Sequence, residues 1–104
     1  LWHTPLDTAA DRNLARYFSQ MAGGSAPVAG PLEILGRQVP ARGQARGVAW
    51  FDFGVLCGDG RSQEDYIELA RWCQTVLVAG IPVLDGTREN EARRFIALVD
   101  EFYD

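Results

Sequence analysis

The sequence predicts an α/β protein: a small mixed sheet with an antiparallel hairpin and a βα crossover, helices packed on it, in the order α-β-β-α-β-α. Three observations lead there. Apolar residues near the end fall at 92, 95, 96, 99, 102 and 103, the spacing of one helical face, and Leu98 widens it. Val48-Ala49-Trp50-Phe51-Asp52-Phe53 is rich in aromatic strand formers. Thr75-Val76-Leu77-Val78 is apolar on both sides, as a strand covered on both faces must be.

The first helix opens at Thr4-Pro5-Leu6-Asp7, where Thr4 can cap, Pro5 suits the first helical position and Asp7 favours the positive end of the dipole. Asp7 as the cap would start the helix a turn later. Leu6, Ala10, Leu14, Tyr17, Phe18 and Met21 share one face, and Gly23-Gly24-Ser25 ends the helix. Ser25 to Pro31 reads as a loop.

Leu32 to Val39 reads as a strand that Pro40 ends or places at an edge, and Ala41 to Gly47 as the turn that brings it back against 48–53 in an antiparallel hairpin. Gly54 to Leu56 reads as a short helical turn leading to Cys57. Ser62-Gln63-Glu64-Asp65 is a capping-box pattern with Asp in the usual place of Glu. Tyr66, Ile67, Leu69, Ala70 and Cys73 then line a second helix. If 48–53 and 75–79 share a sheet, that helix is a crossover, expected to be right-handed. Asp85-Gly86 turns the chain, Thr87 can cap the last helix, and Glu89 and Arg93 are spaced to pair. The apolar face of that helix should cover the strand at 75–79.

Composition excludes several function classes. One hundred and four residues suit one domain, or part of one, spanning 1–104. The net charge is −4 and the ten basic residues are scattered, so there is no electrostatic footprint for nucleic acid. No run of about 18 apolar residues offers a membrane span, and no signal peptide is present, so a cytoplasmic location is expected. The chain starts at Leu1 and ends on an apolar helix, which suggests a piece of a longer protein. Cys57, Cys73 and His3 are one ligand short of a four-ligand Cys/His zinc site, and no metal site is expected. Both cysteines read as reduced core residues.

The candidate chemistry is sparse. All ten basic residues are arginine, so the Gly-x-x-x-x-Gly-Lys phosphate loop cannot be built. His3 supports no nucleophile triad. Asp52, between two aromatics, reads as solvent-facing or bonded to the hairpin, and Asp65 as a helix-start residue. No catalytic residue is assigned. Arg93 and Arg94, adjacent on a helix, point about 100° apart. Their donor forks suit carboxylate or phosphate, either in pairing with neighbouring acids or in a subunit or nucleotide contact of a larger assembly.

Gly36-Arg37 in a strand, Val48-Ala49-Trp50-Phe51-Asp52-Phe53 followed by Leu56-Cys57, Asp65-Tyr66, Ile81-Pro82 and Asn90-Glu91-Ala92-Arg93-Arg94-Phe95-Ile96 with Phe102-Tyr103-Asp104 occur in an order and at spacings that resemble the ZapE/AFG-like family of P-loop ATPases. The bacterial members are linked to cell division and the mitochondrial members to protein quality control. The resemblance covers nearly the whole chain and falls on the carboxy-terminal half of the family, past its Walker A and Walker B segments. It implies a parent that binds ATP and magnesium and works on a protein partner, in the bacterial cytoplasm and as a possible homo-oligomer. This segment would be structural, regulatory or partner-binding and not catalytic alone. Arg37, Arg93 and Arg94 are the assembly or nucleotide-proximal candidates. Gly58-Asp59-Gly60-Arg61 departs from the family's Pro-Leu-Gly-like turn, so altered turn geometry is expected there. The rival reading is a stand-alone protein-interaction module without nucleotide.

Overall fold

A computed structural model describes residues 8–23, 30–45 and 47–103, without side chains for 8–11 and 22. The elements are α1 (Thr8–Ala22), β1 (Leu32–Ile34), β2 (Arg37–Val39), β3 (Gly43–Ala45), β4 (Val48–Asp52), α2 (Phe53–Cys57), α3 (Gln63–Trp72), β5 (Thr75–Ala79), a 3-10 turn (Gly86–Arg88) and α4 (Glu89–Tyr103). The helix start proposed at Thr4 to Asp7, and most of the loop at 25–31, lie outside the described residues.

The α/β class stands, and β4 and β5 run parallel in register from Val48↔Thr75 to Asp52↔Ala79. Side-chain alternation splits the core in two. Val48, Leu77 and Ala79 pack with Leu14 and Phe18 of α1 on one face. Phe18 lies tilted against Trp50 with ring centroids 5.8 Å apart. Ala49 and Phe51 face the other way, into a larger cluster with Tyr66, Leu69 and Cys73 of α3 and Phe95 and Leu98 of α4. Phe51 and Tyr66 are almost wholly buried, and side chains of this size contribute about 1.5–3 kcal/mol each when removed from water.

The hairpin is placed differently from the sequence expectation. Residues 32–39 do not form one strand against 48–53. They fold on themselves, β1 pairing with β2 from Leu32↔Val39 to Ile34↔Arg37. The two residues between them, Leu35 and Gly36, both have positive φ, 52° and 78°, the pattern of a type I′ turn that matches strand twist. Gly36 adopts it freely, whereas Leu35 does so against its intrinsic preference and stays exposed. This small hairpin drops Ile34 and Val39 into the α3-side core. The antiparallel partner of β4 is instead β3, from Gly43↔Trp50 to Ala45↔Val48, drawn from the stretch expected to be a turn.

Smaller corrections follow the same logic. Asp85, not Thr87, opens the last helical segment. Its carboxylate accepts the Thr87 N–H at 2.9 Å and the Thr87 hydroxyl at 2.6 Å. These bonds hold the Asp85 carboxyl below its ordinary range. Among the described residues the ion pair in that turn is Arg88–Glu91 at 3.2 Å, not Glu89–Arg93. Finally, α4 packs on α3 and α2 more closely than on β5, with Phe95 edge-on to Phe53 at 5.6 Å.

Candidate functional site

Asp52 ends β4 and the chain passes directly into α2, then into the loop at 58–62 that leads to α3. Ala79 ends β5, and the chain runs through 80–85 into the turn before α4. The segments that leave the carboxyl ends of the two parallel strands therefore lie side by side, the place where open α/β sheets make their crevices. A polar crevice of about 550 Å³ lies between them, lined by Gly58 and Asp59 on one side and by 86–91 and Arg94 on the other.

Three arginines, one of which lines the crevice, bond to carbonyls of α2 and of the 58–62 loop. Arg94 of α4 donates to the Cys57 carbonyl at 3.1 Å and faces Asp59 at 3.5 Å. Arg37 of β2 donates to the Gly60 carbonyl at 3.1 Å and to the Asp65 carboxylate. Arg61 donates through Nε to the Val55 carbonyl at 2.9 Å. Asp65, 2 % exposed, also accepts the Ser62 N–H at 2.9 Å, completing the capping box read from the sequence. Carbonyls at the end of a short helix lack intrahelical partners, and the guanidinium groups bond to two of α2, Val55 and Cys57, and to Gly60 of the loop that follows. This turn is thus pinned from β2, from α4 and from within.

Of the three arginines singled out in the sequence, Arg37 and Arg94 converge on this loop, while Arg93 points outward and is exposed. Arg61 was missed; its only sequence signal is its place beside the two glycines of a loop whose carbonyls need donors. Asp52 pairs with Arg42 at 2.7 Å, and the Arg42 guanidinium lies 5.5 Å from the Trp50 ring centroid. Asp59, Glu89 and Glu91 border the crevice with Arg88 and Arg94, and both of these arginines are already paired. The arrangement positions backbone, and the side chains of both crevice arginines are engaged with groups of the chain itself.

Behind the loop, the Tyr66 hydroxyl donates to the Leu56 carbonyl at 2.6 Å. Cys57 is fully buried and burial pushes its thiol up to about 12, with Cys73 raised for the same reason. Both cysteines are free thiols, and buried thiols of raised pKa are poor nucleophiles. Iodoacetamide at pH 8 should therefore label native Cys57 and Cys73 far more slowly than the unfolded chain; equal rates by mass spectrometry would refute the burial. Because the folded pKa lies above the ordinary value of 9.0, this contribution to stability is intact below about pH 9 and is lost as pH rises toward about 12.

Comparison with known proteins adds the relatives. The sequence profile described as AFG1-like ATPase matches residues 1–104. The chain is 40% identical over 104 residues to cell division protein ZapE of Escherichia coli K12, covering all of this chain and 28% of that protein. It is 30% identical over 106 aligned residues to lactation elevated protein 1 homolog B of Danio rerio, covering all of this chain and 21% of that protein. The chain thus spans under a third of the length of these relatives. No solved structure matches it. Among the described residues no helix is long and apolar enough to cross a membrane, and no group of three His, Cys, Asp or Glu side chains could hold a metal ion.

Proposed function

Because the chain belongs to the AFG1-like ATPase family, we propose that it is the α/β segment of an ATP-hydrolysing parent, in which it builds structure and contacts a protein partner without catalysing by itself. The observation that carries this reading is the full coverage of the chain against 28% coverage of ZapE. A chain without lysine cannot form a lysine phosphate loop, and the arginines of its crevice are already bonded to carbonyls and carboxylates. ATP and magnesium therefore belong to other parts of the parent, where they would supply the phosphoryl chemistry.

In this reading Arg37 and Arg94 set the shape of the 58–62 loop at the carboxyl ends of the strands. Arg93 is the assembly contact, offered outward beside it to the rest of the ATPase, to a second copy or to a protein partner. A bacterial member would act in the cytoplasm, in keeping with the cell-division relative.

The test pairs two preparations. The full-length parent should hydrolyse ATP, and residues 1–104 alone should neither bind nor hydrolyse it in a calorimetric titration and a phosphate-release assay. Hydrolysis by residues 1–104 would overturn the reading, as would a parent gene without a lysine phosphate loop. Arg93→Ala in the parent should weaken partner binding or self-association while leaving thermal stability within about 0.5 kcal/mol of the unsubstituted protein, as expected for an exposed side chain away from the core.

A further inference from the structure

The outward face of α4 carries a pattern that packing within the chain leaves unused. Glu89, Arg93, Ile96, Asp100 and Tyr103 are all exposed, Ile96 by 61% and Tyr103 by 80%, while the opposite face of the helix holds Phe95 and Leu98 in the core. Among the described residues, none of the three charged side chains on this stripe has a hydrogen bond or an ion pair. The five residues are spaced four, three, four and three apart, which is the spacing of a coiled-coil seam. A single exposed isoleucine needs no explanation; the order of the residues around it does.

Reversing the stripe about Ile96 exchanges its ends. Glu89 and Tyr103 lie seven residues to either side, and Arg93 and Asp100 lie three before and four after. Two α4 helices packed antiparallel about a two-fold axis at Ile96 therefore set Arg93 of each copy against Asp100 of the other. At the ends, each Tyr103 hydroxyl can donate to the Glu89 carboxylate of the second copy, and at the axis the two Ile96 side chains cover each other. A parallel pair would put Arg93 on Arg93 and Asp100 on Asp100, like charge against like at both levels. Charge thus selects one orientation, and one patch serves both copies, as a two-fold contact requires.

We propose that the outward face of α4 docks a second copy of this chain, antiparallel and two-fold symmetric, through reciprocal Arg93–Asp100 pairs around Ile96. The proposal rests on the reading of Arg93 as an assembly contact and narrows it, and it does not depend on ATP hydrolysis. A helix of 15 residues is about 22 Å long, so the contact lies at the low end of specific interfaces, below about 1,200 Å². Polar residues at seam positions fix register and orientation at a cost in stability. The pair is therefore weak, concentration-dependent and sensitive to salt.

Sedimentation velocity of the full-length parent over a range of concentrations tests this with charge swaps. Arg93→Asp and Asp100→Arg should each raise the dissociation constant of the dimer about tenfold or more, because both reciprocal contacts turn repulsive. The double swap R93D/D100R restores opposite charges and should bring the constant back to within about threefold of the unsubstituted parent. Both positions are exposed, so the variants keep the fold. In a parent with its other cysteines replaced, Ile96→Cys should oxidise to a covalent dimer, since a residue on the axis meets its own copy. Glu33→Cys, exposed on β1, should not. A parent that stays monomeric at every concentration, swaps that leave self-association unchanged, losses that add in the double swap, or Ile96→Cys no more readily crosslinked than Glu33→Cys would each overturn the proposal. If Arg93→Ala weakens binding to another protein while self-association is unchanged, the assembly-contact reading stands and the second copy is excluded; if it weakens neither, both fail.

Discussion

Arg37→Ala should destabilise the fold by about 2–3 kcal/mol, and adding Asp65→Asn to it should recover part of that loss. The reasoning turns on which partner is left stranded. Asp65 is 2 % exposed at the start of α3, and its carboxylate is shared between the Ser62 N–H and the Arg37 guanidinium. Removing the arginine leaves a buried carboxylate with one neutral donor, and breaking a buried pair from one side costs about 3–5 kcal/mol. The Arg37 side chain is 48 % exposed, so water can reach the gap it leaves, which brings the expected cost below that range. Arg37→Ala also releases the Gly60 carbonyl. Asp65→Asn in the same chain keeps an acceptor for Ser62 N–H and removes the stranded charge, so the double variant should be more stable than Arg37→Ala alone by about 1 kcal/mol. Urea unfolding of the four members of the cycle measures this. Strictly additive losses would mean that the pair carries no coupling.

That pair also marks the limit of what the sequence discloses. The capping half of Asp65 is local, three residues from Ser62, and was legible from spacing alone. Its partner Arg37 lies 28 positions away and Arg94 lies 37 from the carbonyl it serves, so no periodicity connects them. The parallel strands were legible for a different reason: aromatics in β4 and an unbroken apolar run in β5 are hard to bury any other way. β3 was not, because Gly43-Gln44-Ala45 has no hydrophobic signal; its backbone pairs with β4 and that pairing is what makes it a strand. The Leu35-Gly36 turn was hidden by Leu35, because a side chain of this kind rarely takes the positive φ that the hairpin imposes on it. The arginine doublet drew notice as one feature, yet tertiary packing divides it: Arg94 turns to the 58–62 loop and Arg93 faces out.

Alanine substitutions at two glycines four residues apart should move stability in opposite directions. A Cβ on Gly58 would sit 2.4 Å from the Gly54 carbonyl oxygen. The obstacle is backbone, so no rotamer change relieves it, and either α2 must unwind or the loop must shift. Overpacking of this kind costs about 1–3 kcal/mol and sometimes more. Here the upper part of that range is expected, because Arg94 and Arg61 bond to the Cys57 and Val55 carbonyls at the end of α2, Arg37 bonds to the Gly60 carbonyl of the turn, and a shift disturbs all three. Gly54, inside α2, is exposed, and a Cβ there meets nothing within 4 Å. Gly54→Ala should therefore gain some of the ~1 kcal/mol by which alanine exceeds glycine in a helix, reduced because α2 is short. Thermal or urea unfolding of the two single variants measures both signs, with far-ultraviolet circular dichroism to establish that each retains its helices. Equal and small effects would mean that the 58–62 turn is loosely held. A large loss confined to Gly58→Ala would show that the arginine-pinned loop at the carboxyl ends of β4 and β5 has one permitted shape.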